Sequence, residues 1–273
     1  MRGRLSPPGP GDALGERAPV AHGHRRGCSR LAPEGISTEW MSAATKAVVL
    51  QPTVMMDQVG VPMSTSISDV GYWSGLCATA ATIMYVVVQL LQVAGLLRFP
   101  LDEILIYGSS LCIVVPFVLL MLAFHYLTEG DKRYWTHAAL IFSVVYAVFV
   151  TANYVVQLAT VIPARLNGEG EAVRLLEQTP HSLFWDYDAI GYIAMGLATL
   201  VAIPALDTVG LEKWVRRSFI AHALVTPLIS IVYFYPTFSP QLLFLGFPWA
   251  ITAPLFMWML AILLRRRGEV QGA

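Results

Sequence analysis

SFIAHALVTPLISIVYFYPTFSPQLLFLGFPWAITAPLFMWMLAILL, residues 218–264, contains no Asp, Glu, Lys or Arg. About 20 predominantly apolar residues are enough to cross the hydrocarbon of a bilayer. This stretch is too long for one crossing, and Pro236-Thr237-Phe238-Ser239-Pro240 divides it, because two prolines in so short a segment cannot continue a helix. It reads as two spans, about 214–235 and 241–264, joined by a tight turn.

The same reading extends toward the N-terminus. Residues 189–206 are also free of charge, and the apolar runs divide into spans at about 72–97, 101–127, 134–162 and 183–206. The breaks are Arg98-Phe99-Pro100, Glu129-Gly130-Asp131-Lys132-Arg133, the polar segment 164–180, and 207–213. Ser68-Asp69 reads as an N-cap pair for the first span, and the third is predicted to stop at Pro163. Val173, Leu175 and Leu176 predict a short surface helix inside the polar segment.

The fold class is therefore all-α: a polytopic membrane protein with a six-helix transmembrane bundle over 67–267, a disordered N-terminal tail and a short C-terminal tail at 268–273. The N-terminal tail, residues 1–66, holds seven Lys/Arg and five Asp/Glu among recurrent prolines, with no apolar period to bury, and reads as disordered or interfacial. Arg25-Arg26 lack the following apolar stretch of a secretion signal. Over the whole chain only 13% of residues are charged and 56% are hydrophobic. Soluble domains carry about a quarter charged residues, so a soluble enzyme is excluded.

The positive-inside rule orients the bundle. With a cytoplasmic N-terminus the inner flanks carry Lys132, Arg133, Lys213, Arg216, Arg217 and Arg265-Arg266-Arg267, and the outer flanks only Arg98, Arg165 and Arg174. The expectation is a multi-pass protein of the cell membrane with both termini cytoplasmic. Trp73, Trp135, Trp185, Trp214 and Trp249 fall near predicted span ends, as interfacial aromatics do.

Several chemistries lack their residues. No Lys lies inside a span to form a retinal Schiff base, and neither H-E-x-x-H, G-x-S-x-G nor a Walker loop is present. No arginine ladder marks a voltage sensor. The three cysteines make no C-x-x-C, and His125, His137 and His222 lack an E-x-x-H pairing, although His125 and His137 flank a short turn and could face each other. No metal, no cofactor and no nucleic-acid partner is expected. The expected partners are the lipid bilayer and a small lipophilic ligand.

Polar side chains within the spans recur at helical spacing, which places them on single faces. The stripes are Tyr85, Gln89 and Gln92; Glu103, Tyr107 and Ser110; Tyr146, Asn153 and Gln157; Asp188 and Tyr192, with Asp186 and His181 just before them; and Thr226, Ser230 and Tyr233. In the assigned topology they converge on the outer half of the bundle. Such stripes can serve simply as hydrogen-bonding glue between helices, and Asp102, Glu103, Asp186 and Asp188 can serve as helix-start carboxylates. Glue does not need acids, however, so the pattern predicts a polar pocket. Its candidate ligand-binding residues are Tyr85, Gln89, Gln92, Tyr107, Asn153, Gln157, Asp186, Tyr192 and Tyr233, with Trp249 as a further stacking surface. Asp186-Tyr187-Asp188 could chelate a metal-diphosphate only outside a helix, since i and i+2 diverge.

Three functions fit. The first is binding of a small amphipathic or lipophilic molecule in this pocket. The second is a membrane-embedded enzyme of the terpenoid cyclase or isomerase type, with Glu103 or Asp188 as proton donor and tyrosine faces stabilising a cation. The third is a transporter or accessory subunit.

Overall fold

A computed structural model describes the backbone of residues 63–271 and the side chains of residues 67–270. Among the described residues the chain is helical throughout, with no strand, and six helices are long and apolar enough to cross a membrane. They are α1 (Met63–Val93), α2 (Leu101–Tyr126), α3 (Lys132–Val156), α4 (Leu183–Ala202), α5 (Gly210–Phe234) and α6 (Phe247–Gln271). Each packs against the next, and α6 closes the ring on α1 while also touching α2. Large apolar side chains such as Val115, Ile141, Val148 and Leu224 point outward, as a lipid solvent requires. The chain is a multi-pass integral membrane protein.

The helix ends differ from the sequence expectation in ways the local chemistry explains. The first helix begins at Met63, directly after Pro62, so the predicted tail boundary at 66 falls inside it; residues 1–62 lie outside the described part. Ser68 is not a cap. Its hydroxyl donates to the Leu264 carbonyl of α6 at 2.7 Å, tying the first helix to the last. The far end of α1 comes four residues early because Gly95, at φ 71°, sits where a left-handed residue ends a helix. Gly95 N donates to Gln92 O and Leu96 N to Leu91 O, the paired bonds that satisfy the last carbonyls.

Helix α3 does not stop at Pro163. A π-helical turn, Gln157–Val161, widens the ladder, and the helix resumes over Ile162–Leu166 with Pro163 near its new start, where a missing N–H costs little. The predicted surface helix is reduced to one turn, Gly170–Val173, and a 3₁₀ turn, Arg174–Leu176. At the C-terminus α6 runs on to Gln271, so most of the expected 268–273 tail is helix.

The middle of the bundle is apolar and aromatic. Phe117 meets Tyr146 and Phe256 edge-on, and Phe219 meets Phe124 and Phe256 in the same way. Small residues let helices approach closely. A methyl group at Gly196 of α4 would collide with the Thr226 hydroxyl of α5, so Thr226 belongs to this helix contact. A few polar side chains, His222 among them, are buried within the spans, and the charged groups gather at the two ends. One holds Asp188 and the 163–182 connection; the other holds Arg267 and the short turns.

Candidate functional site

The centre of the site is Asp188, one turn into α4. Ser182 caps that helix by accepting from Trp185 N at 3.2 Å, and His181, in left-handed backbone at φ 66°, turns the chain into it. Because the segment is already helical, Asp186 and Asp188 diverge: Asp186 is exposed in the first turn and Asp188 is buried. This removes the metal-diphosphate geometry, and Asp186 does not join the cluster.

Both Asp188 oxygens are taken by neutral donors from other elements. Tyr154 of α3 donates its hydroxyl to Oδ1 at 2.6 Å, and Asn153 Nδ2 lies 3.5 Å from the same oxygen. Gln178 Nε2 donates to Oδ2 at 3.0 Å, and the Tyr233 hydroxyl of α5 donates to it as well. No Lys, Arg or His forms an ion pair with Asp188 among the described residues. Burying a carboxylate is costly unless its lone pairs are satisfied, and here hydroxyls and amides satisfy them.

Aromatic rings extend from this hub in two directions. On one side Tyr154 stacks on Tyr107 of α2, centroids 5.3 Å apart. On the other, Tyr233 stacks on Tyr192, whose hydroxyl donates to the Tyr85 hydroxyl of α1 at 3.0 Å, and Gln89 Nε2 donates to the same oxygen. Trp185 packs on Tyr233 at 4.6 Å. Trp249, near a span end, is buried in the bundle, edge-on to both Tyr85 and Tyr192. The stripe residues Tyr85, Gln89, Tyr107, Asn153, Tyr192 and Tyr233 thus gather around Asp188.

The connection 163–182 covers this end of the bundle. Gln157, in the π turn, fixes it by donating to Leu176 O at 2.8 Å and accepting from Gln178 N at 3.2 Å. Arg165 Nη1 fixes it a second time through both Glu103 oxygens, at 2.9 and 3.1 Å, with its guanidinium 4.1 Å over the Phe99 ring. Glu103 therefore belongs to the cover. Gln92 lies apart from the hub and donates to Asp102 at 2.9 Å. Gln178 is the element that reaches inward: its amide accepts from Asn153 at 3.0 Å while donating to Asp188.

Two residues of the hub were absent from the predicted set. Tyr154 was detectable, since it lies eight residues after Tyr146 on the same helical face. Gln178 was not, because it sits in an irregular segment without periodicity. Two buried polar atoms of the site, the acceptor Asn153 Oδ1 and the donor Trp249 Nε1, have no hydrogen-bond partner among the described residues.

The histidines do not form one group. His125 and His137 meet with ring centroids 5.2 Å apart, and His125 Nδ1 lies 3.1 Å from Thr136 Oγ1. His222 is buried elsewhere, 3.1 Å from Thr252 Oγ1 and against Phe256. Among the described residues no three His, Cys, Asp or Glu side chains converge to hold a metal. Comparison with known proteins returned no matching family model, no matching curated protein and no matching solved structure.

Proposed function

We propose that this membrane protein binds a small amphipathic molecule at the Asp188 end of its bundle. The molecule's polar, hydrogen-bond-donating end meets the Asp188 carboxylate, and its apolar body lies among the tyrosine and tryptophan rings. The observation that supports this is a buried carboxylate whose donors among the described residues are all neutral, one of them, Gln178, carried on the covering connection rather than on a helix. A primary amide that donates to Asp188 and accepts from Asn153 occupies the place a donor-headed ligand would take, and it can leave when the connection lifts. The unpartnered Asn153 Oδ1 and Trp249 Nε1 offer further contacts. The excess of Lys and Arg at the opposite end supports an orientation in the cell membrane with that end, and both termini, on the cytoplasmic side.

A thermal-unfolding series in lipid nanodiscs with hexadecan-1-ol, hexadecylamine and hexadecanoate tests the binding. The alcohol and the amine, whose heads donate, are expected to raise Tm for the native chain and not for Asp188→Asn. No rise with either compound, or an equal rise in the variant, overturns the reading. A reporter fused at Ala273 tests the orientation, which fails if the reporter sits outside.

A second reading is acid–base chemistry on a lipid or isoprenoid, favoured by the Tyr154 and Tyr233 hydroxyls that contact Asp188 and could relay its proton. It differs in requiring a product, so binding without turnover of any lipid supplied would count against it.

A further inference from the structure

The seam between α2 and α3 opens into a groove of about 610 Å³ on the lipid-facing side, within the range of about 300–1,000 Å³ typical of small-molecule pockets. Its walls are apolar: Val114, Val115 and Val118 from α2, Val144, Ala147 and Thr151 from α3. Val115 and Val144 are exposed, so the groove is open to the bilayer along its length.

The spacing of the two walls shows where the groove leads. On α2, Tyr107, Val114 and Val118 stand at i, i+7 and i+11, one helical face; on α3, Ala147, Thr151 and Tyr154 stand at i, i+4 and i+7, again one face. Continued toward the Asp188 end, the two walls meet in the stacked pair Tyr107 and Tyr154. The groove lining itself ends at Val114 on α2 and Ala152 on α3, short of this pair, and beyond it Tyr154 donates directly to Asp188.

Both walls also carry a break in the regular helical ladder. Pro116 of α2 has no N–H to give to the Cys112 carbonyl, at the depth of the groove itself. In α3 the π turn Gln157–Val161 begins three residues beyond Tyr154. Helices bend and re-register most readily at such points. Helix α2 can thus yield at the level of the groove, and α3 just beyond Tyr154.

The geometry points to the α2–α3 groove as the seat of the ligand's apolar chain and its route in from the bilayer. The ligand class is a single-chain, lipid-like molecule with a hydroxyl or amine head, which passes the Tyr107–Tyr154 pair to reach Asp188. This deepens the binding reading above and rests on it. A water-soluble ligand would instead enter under the 163–182 connection and leave the groove to ordinary lipid.

Hexadecan-1-ol carrying a mid-chain diazirine, photolysed with the full chain in nanodiscs, tests the assignment. Cross-links are expected on the peptides around Val115–Leu119 and Val148–Ala152, and excess unlabelled hexadecan-1-ol should reduce them at least fivefold. Val148→Trp, on an exposed position at the groove, should reduce both the cross-links and the Tm rise given by hexadecan-1-ol; Ala147→Phe serves if that variant does not fold. Labelling that is equally strong at Ile141 and Leu224 and not competed means bulk lipid only and overturns the proposal. So does a dimer that Val148→Trp dissociates without change in labelling, since the groove would then hold a second copy. If hexadecan-1-ol raises Tm through Asp188 but Val148→Trp has no effect, the groove fails while the binding reading stands. If no probe acts through Asp188, the binding reading itself has failed.

Discussion

The two ends of the bundle bury carboxylates in opposite ways. At one end Glu212 accepts from Arg267 Nη2 at 2.8 Å, and the same guanidinium donates to Leu127 O and Thr128 Oγ1, joining the end of α6 to the α2–α3 turn and the start of α5. Lys132 and Asp207 pair beside it at 2.6 Å. Every charge in this group has an opposite charge against it, and water is near. At the other end Asp188 is buried more deeply and has hydroxyls and amides only. The first arrangement is complete as it stands and reads as a clasp. The second has no cation against the carboxylate among the described residues, so a donor-headed or cationic partner would add an interaction it lacks. That asymmetry is what the proposed binding site rests on.

The largest expected effect tests the Asp188 side. Asp188→Leu removes the acceptor of two tyrosine hydroxyls and the Gln178 amide, groups worth about 1–3 kcal/mol each when left buried and unpaired. Some of them will find each other or water, and a net loss of about 3 kcal/mol is expected in reversible unfolding by SDS titration from mixed micelles. A leucine variant as stable as the native chain would mean that the donors never depended on the carboxylate.

Arg267→Met should cost less, about 1–2 kcal/mol by the same measurement, because Glu212 remains partly exposed and keeps a bond from Asp207 N at 2.7 Å. Salt sharpens the contrast: moderate ionic strength should weaken the contribution of Arg267 and leave that of Asp188 unchanged, since only the former is an ion pair near water. If Arg267→Met proved the more damaging of the two, the clasp and the site would have to exchange roles.

The covering connection ranks next. Gln157→Ala removes the bonds to Leu176 O and Gln178 N, at about 1 kcal/mol. Its clearer signature is local: amide exchange over 174–182 should quicken by about fivefold while the helix interiors keep their protection. Uniform quickening would show that the connection opens only with the whole bundle and cannot by itself withdraw Gln178 from Asp188.

These contrasts also explain what was legible in the sequence. The six spans followed from long uncharged runs, because lipid imposes one rule on every span. Polar stripes at i, i+4 and i+7 were enough to bring Tyr85, Asn153, Tyr192 and Tyr233 to one place, since helical periodicity survives packing. Helix ends were less legible: Gly95 stopped α1 early and a π turn carried α3 through Pro163, both decided by backbone geometry rather than hydropathy. The partner of each acid was not legible at all. Glu103 and Asp188 look alike as helix-start carboxylates, and only the fold of the 163–182 connection gives one Arg165 and the other Gln178.

The smallest expected effect comes from the exposed pair at the clasp end. The Lys132 ammonium beside Asp207 holds that carboxyl below its ordinary value. A lowered folded value means that the pair's stabilisation is present above the ordinary carboxylate pKa of about 3.9 and is lost as the pH falls through the lower folded one. Both side chains are about half exposed, so the contribution is at most about 0.5 kcal/mol. Lys132→Ala should therefore leave stability at neutral pH nearly unchanged and flatten a shallow decline below about pH 4. A loss above about 1 kcal/mol at neutral pH would mean that this pair is as desolvated as Arg267 and Glu212, and the clasp would then extend across the whole α2–α3 turn.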